Sequence, residues 1–284
     1  MAKMSARARR ARVNRGVRLA VQIAFFLLFP AAFSAAENGV KAIFTQIGLM
    51  QPVPFSGFVA FLAVLAAYTV VAGRFFCGYA CAFGTLGDVL FLLFAPVRRR
   101  FHLPVRPFPP RAWRALQGLK YVVLAAICAL CFAGAWDSVS DWSPWTAFAS
   151  LRAGNVGGVA VAGGVLLALI AVGMLFIERF FCQFLCPLGA LLSLLPVLPF
   201  SAFRRERASC LAKCDKCKRS CPVAVHPDPD AFLSGECIAC GRCADGCPAG
   251  NVGVIRSPRF VRGTEIIVVL VKAAALAALC WMFL

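Results

Sequence analysis

Between residues 210 and 248, eight cysteines fall into two groups: Cys210, Cys214, Cys217 and Cys221 ahead of Pro222, and Cys237, Cys240, Cys243 and Cys247 ahead of Pro248. The second group has the C-x2-C-x2-C-x3-C-P spacing, in which three close thiolates hold one iron-sulfur cubane and the fourth, turned away before the proline, ligates its neighbour. The first group carries one extra residue between Cys210 and Cys214. Reciprocal ligation therefore predicts one [4Fe-4S] cluster on Cys210, Cys214, Cys217 and Cys247 and a second on Cys237, Cys240, Cys243 and Cys221. Paired C-x2-C motifs also build zinc ribbons, but ribbons are not spaced as two four-cysteine groups that both close with Cys-Pro.

The rest of the chain is apolar. It is 61% hydrophobic and 15% charged with mean hydropathy +0.80, which places most of its 284 residues in a bilayer. A net charge of +18 would suggest nucleic acid in a soluble protein. Here the positives lie between apolar stretches, so they report membrane topology and no nucleic-acid partner is expected. Cluster assembly needs a reducing compartment, so the hydrophilic cysteine segment is expected on the cytoplasmic side of a cell (inner) membrane.

Lys3, Arg7, Arg9, Arg10, Arg12, Arg15 and Arg18 precede an apolar run over 17–36, whose length suits a retained span better than a signal peptide. Residues 37–54 read as a short connection, and 55–73 as the return. Residues 96–120 carry Arg98, Arg99, Arg100, Arg106, Arg111, Arg114 and Lys120 without an acid, which marks that side as cytoplasmic, like the amino terminus. Residues 115–136 cross outward, Trp136, Trp142 and Trp145 suit an outer interfacial belt, 156–177 cross back, and 264–284 form a last span with the carboxyl terminus outside. The fold expected is mainly α, an integral membrane bundle of about five helices with a two-cluster ferredoxin-like insert. Its divisions are a basic tail (1–17), a first membrane repeat (18–95), a basic loop (96–114), a second membrane repeat (115–200), the ferredoxin domain (201–262) and the fifth helix (263–284).

The repeats are visible as RFFCGYACAFGTL at 74–86 and RFFCQFLCPLGAL at 179–191, identical at seven of thirteen positions. Cys77 and Cys81, like Cys182 and Cys186, stand four apart, which on a helix puts each pair on one face. Two parallel repeats about an axis along the membrane normal would bring the four thiols together at the cytoplasmic membrane edge. Two functional readings stand, a further metal or iron-sulfur site and a pair of redox-active dithiols; the alternative is buried small hydrophobes. Cysteine at matching positions of a repeat favours function. Cys128, Cys131 and Cys280 lie in plain apolar spans and read as structural. Lys272, inside the last span, needs a partner such as Glu265 or a wet cavity. Glu178 reads as a helix-end residue, and the arginines at 98–100 as a solvated face that also suits anionic lipid or an acidic donor protein. No catalytic constellation is present. The two histidines, His102 and His226, lie outside the spans and exclude a bis-histidine cytochrome b.

Membrane helices carrying two C-x3-C elements, followed by two ferredoxin motifs, resemble the membrane polyferredoxin family, with its NapH-like, MauN-like and NosR-like members. The resemblance covers nearly the whole chain and departs at Ala82, where the family has proline, and at the extra residue after Cys210. It implies an electron-transfer subunit of a membrane oxidoreductase system rather than a stand-alone enzyme. Such a subunit relays electrons between a cytoplasmic or quinol donor and an extracytoplasmic redox protein, a flavoprotein or reductase. A quinone or a partner's flavin would complete a path across a hydrocarbon core of ~30 Å. The alternative is an assembly or maturation factor that reduces a metal centre or disulfide of a client redox enzyme.

Overall fold

The computed structural model describes residues 6–105, 108–198, 201, 203–205, 210–211, 214–225, 235–250, 252–253 and 261–284. The expectations placed on Lys3, Arg106 and His226 lie outside these residues, as does that on the Glu265 side chain. Arginine and alanine are strong helix formers, and the stretch expected as a tail is helical from its first described residue, continuous with the apolar run, in α1 (Ala6–Leu28). Pro30 lacks an N–H and its ring collides with the preceding turn. The chain therefore bends by 63° before α2 (Ala32–Gly48). This corrects the expectation of one span over 17–36 followed by a loop. Residues 37–48 stay helical because their charges are matched: Glu37, 3% exposed, lies 2.7 Å from Lys41 one turn on, and Lys41 sits 4.1 Å from the Trp136 ring centre.

α3 (Gly57–Ala72) packs along α2. It starts at Ser56, whose hydroxyl accepts from the Val59 amide, and ends at Gly73 with φ 72°, a conformation open to glycine at little cost. A π-helical turn over Phe76–Ala80 leads into α4 (Ala82–Leu93) and α5 (Ala95–Arg100). α6 (Pro110–Phe132), α7 (Trp136–Val139), α8 (Pro144–Arg152) and α9 (Val161–Phe176) follow, then the short α10 (Phe180–Phe184) and α11 (Pro187–Ser193). Two features correct the sequence reading. α8 folds back against α9, which buries Trp145 at 8% exposure while Trp142 is 62% exposed, so the three tryptophans do not form one belt. Arg98 is 7% exposed rather than solvated; its guanidinium donates to the carbonyls of Phe91 and Leu175, near the carboxyl ends of α4 and α9, where a cation is favoured.

The insert is small among its described residues. β1 (Arg204–Arg205) pairs antiparallel with β2 (Val252–Gly253), Arg204 opposite Gly253, and α12 (Lys216–Ser220) packs on α13 (Arg242–Gly246). α14 (Val261–Phe283) closes the chain against α3. Lys272 finds its partner there. Its ammonium donates to the Ala72 carbonyl at 3.0 Å, capping the carboxyl end of α3 from inside an apolar helix.

Arg111–Phe132 and Ile266–Phe283 are each long and apolar enough to cross a bilayer, and α1 with α2 qualifies as a bent pair. α3 and α9 have 16 residues each, ~24 Å at 1.5 Å per residue, short of the ~30 Å hydrocarbon core. Each is continued by a cysteine-bearing turn and further short helices. The chain is thus a mainly helical membrane protein. Its core is aromatic where the two repeats meet. Phe83 and Phe181 stack at 4.7 Å, Phe33 of α2 lies 5.1 and 6.0 Å from them, and Phe148 of α8 lies 4.5 Å from Phe83.

Removing a ring from this junction leaves a cavity that four elements cannot jointly close. Phe181→Ala is expected to destabilise the protein by about 3–5 kcal/mol. Leu169→Ala, on an exposed face, should stay within about 0.5 kcal/mol. Denaturant unfolding in detergent checks both.

Candidate metal centres

The two cysteines of each repeat do not share one helix face: Cys77 and Cys182 sit in short helical turns, and their partners outside them. Cys81 is extended (φ −68°, ψ 122°) and caps α4, and Cys186 is extended (φ −73°, ψ 110°) and caps α11. Proline at 187 enforces that geometry on the residue before it. Ala82 permits the same geometry, so the departure from Cys-Pro leaves the backbone unchanged. The Gly189 amide donates to Cys186 Sγ at 3.1 Å, and the Gly84 amide donates to Cys81 likewise. In each copy the first thiol comes from the preceding turn and the second from a helix amino terminus. All four are buried, and every pair among them is within electrostatic reach.

The arginine that opens each repeat motif crosses to the other copy. Arg74 and Arg179 are 1% and 2% exposed. Arg74 Nη2 lies 3.9 Å from Cys77 Sγ and against Gly189 of the second copy; Arg179 donates to the Cys77 and Gly78 carbonyls and lies against Gly84 of the first. Each guanidinium thus faces its own first thiol and the other copy's second, Cys77 with Cys186 and Cys182 with Cys81. Arg179 is held bidentate by Asp88 at 2.7 and 2.6 Å, and Gln22 of α1 donates to the same carboxylate at 2.8 Å. Each guanidinium thus lies beside thiols of both copies while its charge is met by a carboxylate, Asp88 for Arg179 and Glu236 for Arg74.

The insert presents two further thiol sets. One cavity is lined by Cys210, Cys214, Cys217 and Cys247 with Leu211, Pro248, Val252 and Arg205, and Arg205 Nε points at Cys210 Sγ from 3.3 Å. A second is lined by Cys221, Cys237, Cys240 and Cys243 among Phe203, Val223, Val225 and Ile238. Among the described residues no three Cys, His, Asp or Glu side chains close on a single metal ion. The thiols surround a space instead of a point, and among the described residues no carboxylate or imidazole shares either cavity wall. An all-sulfur donor set around a cavity fits a cluster. Cys131 and Cys280, by contrast, are buried in the apolar core, with Cys128 packed against it.

The second set is the one seated on the bundle, and it touches both repeats. A Cβ at Gly78 would stand 2.3 Å from the Ile238 carbonyl oxygen, so glycine lets the loop of Cys237 and Cys240 lie directly on the Cys77 turn. Tyr79 donates to the Cys240 carbonyl at 3.4 Å. At the position of the second copy equivalent to Gly78, Gln183 donates to the Pro222 carbonyl at 2.8 Å, beside Cys221. Glu236, next to Cys237, is the electrostatic anchor. It accepts from Lys120, from Tyr121 at 2.6 Å and from Arg74 at 3.4 Å. Burial alone would push its carboxyl up, but these donors hold it below the usual carboxylate range. Arg242 pairs with Glu178 and Arg18 with Asp245 at 3.3 Å, so Glu178 is an interface residue rather than a plain helix end. Sequence reasoning missed Arg74 and Arg179 although both lie in the repeated motif, where identity at a charged position was the available signal. Asp88 and Glu236 carry no motif.

A family model described as a 4Fe-4S binding domain matches residues 53–104 and 159–201, the segments that hold Cys77, Cys81, Cys182 and Cys186. Similar proteins include Protein NirI of Paracoccus denitrificans, 31% identical over 59% of this chain and 24% of the relative. Ferredoxin-type protein NapH of Haemophilus influenzae is 29% identical over 65% and 63%. Putative electron transport protein YccM of Escherichia coli is 26% identical over 68% and 54%. The chain therefore spans from about a quarter to under two thirds of these three relatives. No solved structure matches.

Glu236 makes insert docking acid-sensitive. A depressed folded pKa contributes stability that is complete above the unfolded value of ~4.3 and lost as pH falls through the folded value. Glu236→Gln leaves Arg74 and Lys120 uncompensated and is expected to cost about 3–5 kcal/mol at neutral pH. Acid release of the insert, followed by limited proteolysis, should then show a flatter pH profile than the wild type.

Proposed function

We propose that the chain, which resembles the ferredoxin-type membrane proteins among its relatives, passes single electrons between its two-cluster insert and a third iron-sulfur site built jointly by Cys77, Cys81, Cys182 and Cys186. Iron-sulfur electron transfer is the activity its relatives' names and the domain match support. Cys210, Cys214, Cys217 and Cys247 would hold the cluster farther from the bundle, and Cys221, Cys237, Cys240 and Cys243 the nearer one. Such clusters supply one-electron chemistry, at potentials set by hydrogen bonds and charges near the sulfurs. The observation that carries the reading is the contact of Ile238 and Cys240 with Gly78 and Tyr79, which joins the loop of the second set to the turn of the third without intervening side chains.

The metal reading of the repeat cysteines is preferred to a dithiol exchange for two reasons. The thiols are buried beneath aromatic rings and closed to an attacking thiolate, and exchange requires that access. Two buried guanidiniums also aim donors at the thiols, and donors near the sulfurs suit a cluster better than a neutral disulfide. The insert and the 96–114 loop face the cytoplasm in this reading, and the donor is cytoplasmic or the quinol pool. The acceptor is an extracytoplasmic redox protein, reached from the far side of the thiol site, where Phe83, Phe181 and Trp145 lie.

Iron and sulfide content with EPR on anaerobically purified protein tests the third site. The wild type is expected to carry about twelve irons and Cys77→Ser/Cys182→Ser about eight, four per cluster. Equal iron and identical spectra in the two proteins would remove the third site.

A further inference from the structure

Between α1, α4, α5 and the insert lies a cavity of about 680 Å³. Among the described residues, six arginines line it against two carboxylates, Asp88 and Glu178. Arg179 is matched by Asp88, Arg242 by Glu178 and Arg18 by Asp245, while Arg98 is spent on helix-end carbonyls. Arg15 and Arg99 are exposed and have no ion-pair partner among the described residues. Positive charge is therefore in excess within the cavity.

Part of the lining is apolar: Leu19, Val89 and Leu92 belong to it, and Leu92 is 67% exposed beside Leu93 at 70%, a surface that belongs in lipid. Ile238 and Cys240 of the insert and Arg179 of the repeat also line the cavity. A ligand that satisfies both the charged and the apolar lining has an anionic head and an apolar tail. Arginine's planar fork suits phosphate oxygens, and a basic pocket at the end of membrane helices is where anionic headgroups bind.

We propose that this cavity holds one anionic phospholipid, its phosphate against Arg15 and Arg99 and its upper acyl chains along Leu19, Val89 and Leu92. Free phosphate would leave the apolar lining bare, and an uncharged quinone head would leave the excess charge unmet. The lipid would fill the crevice between insert and bundle and keep water from the Cys240 loop.

The test uses protein purified anaerobically with its clusters, in a neutral detergent and stripped of lipid. It is then incubated with dioleoylphosphatidylglycerol or dioleoylphosphatidylcholine and examined by native mass spectrometry. One phosphatidylglycerol per chain should be retained where phosphatidylcholine is not. Arg15→Gln/Arg99→Gln should weaken retention roughly tenfold or more with melting temperature and iron content unchanged, and Arg99→Lys should keep most of it. Equal retention of phosphatidylcholine, or undiminished phosphatidylglycerol in the double variant, overturns the proposal. So does displacement of the lipid by millimolar inorganic phosphate, which would make the site one for a free anion, or by decylubiquinone, which would make it a quinone site.

Discussion

A guanidinium buried in a membrane protein is costly unless its charge is paired, and two of them, Arg74 and Arg179, each paired to a carboxylate, fasten the repeats to each other. Each reaches across to the opposite copy, so neither repeat completes its own thiol site. Arg179 even accepts a left-handed backbone, φ 57°, which costs a non-glycine residue on the order of 1–3 kcal/mol. The bidentate contact with Asp88 and the carbonyls of Cys77 and Gly78 hold it there. The thiol positions, the aromatic junction beneath them and the seat of the insert all follow from this crossing.

The charged network extends outward from that pair in two directions. Asp88 and Gln22 tie Arg179 to α1, whose basic first half continues to Asp245 of the insert. Arg74 leads through Glu236 to Lys120 and Tyr121 on α6. The insert is therefore held by ion pairs to α1, α6 and the repeat turns, and its position over the bundle is an electrostatic consequence of how the two repeats are joined.

Much of this was legible from residue spacing. The intervals between cysteines sort the eight insert thiols into two sets of four, and the motif opening with RFFC announces a repeat. α6 and α14 are plain in hydropathy. What spacing does not carry is backbone state. Cysteines four positions apart read as one helix face, yet Cys81 and Cys186 stand in extended backbone because each begins a new helix. Hydropathy likewise ran across Pro30, since apolar residues continue on both sides of the bend. The polar stretch after it looked like a loop because Glu37 and Lys41 cancel only when both are helical. Single acids such as Asp88 and Glu236 acquire meaning only from the arginines that folding brings to them.

Among the positions at which the two repeat motifs differ, Gly78 in one and Gln183 in the other both meet the insert. A joined pair of identical repeats would offer an insert two equivalent orientations, related by the exchange of copies. Bare backbone at 78 admits the Ile238 carbonyl, and an amide at 183 meets the Pro222 carbonyl. Gln at 78 would collide with the first, and glycine at 183 would abandon the second. Such differences lift a degeneracy: the insert has a single way to land, and the same one of its two thiol sets is always turned toward the helical bundle.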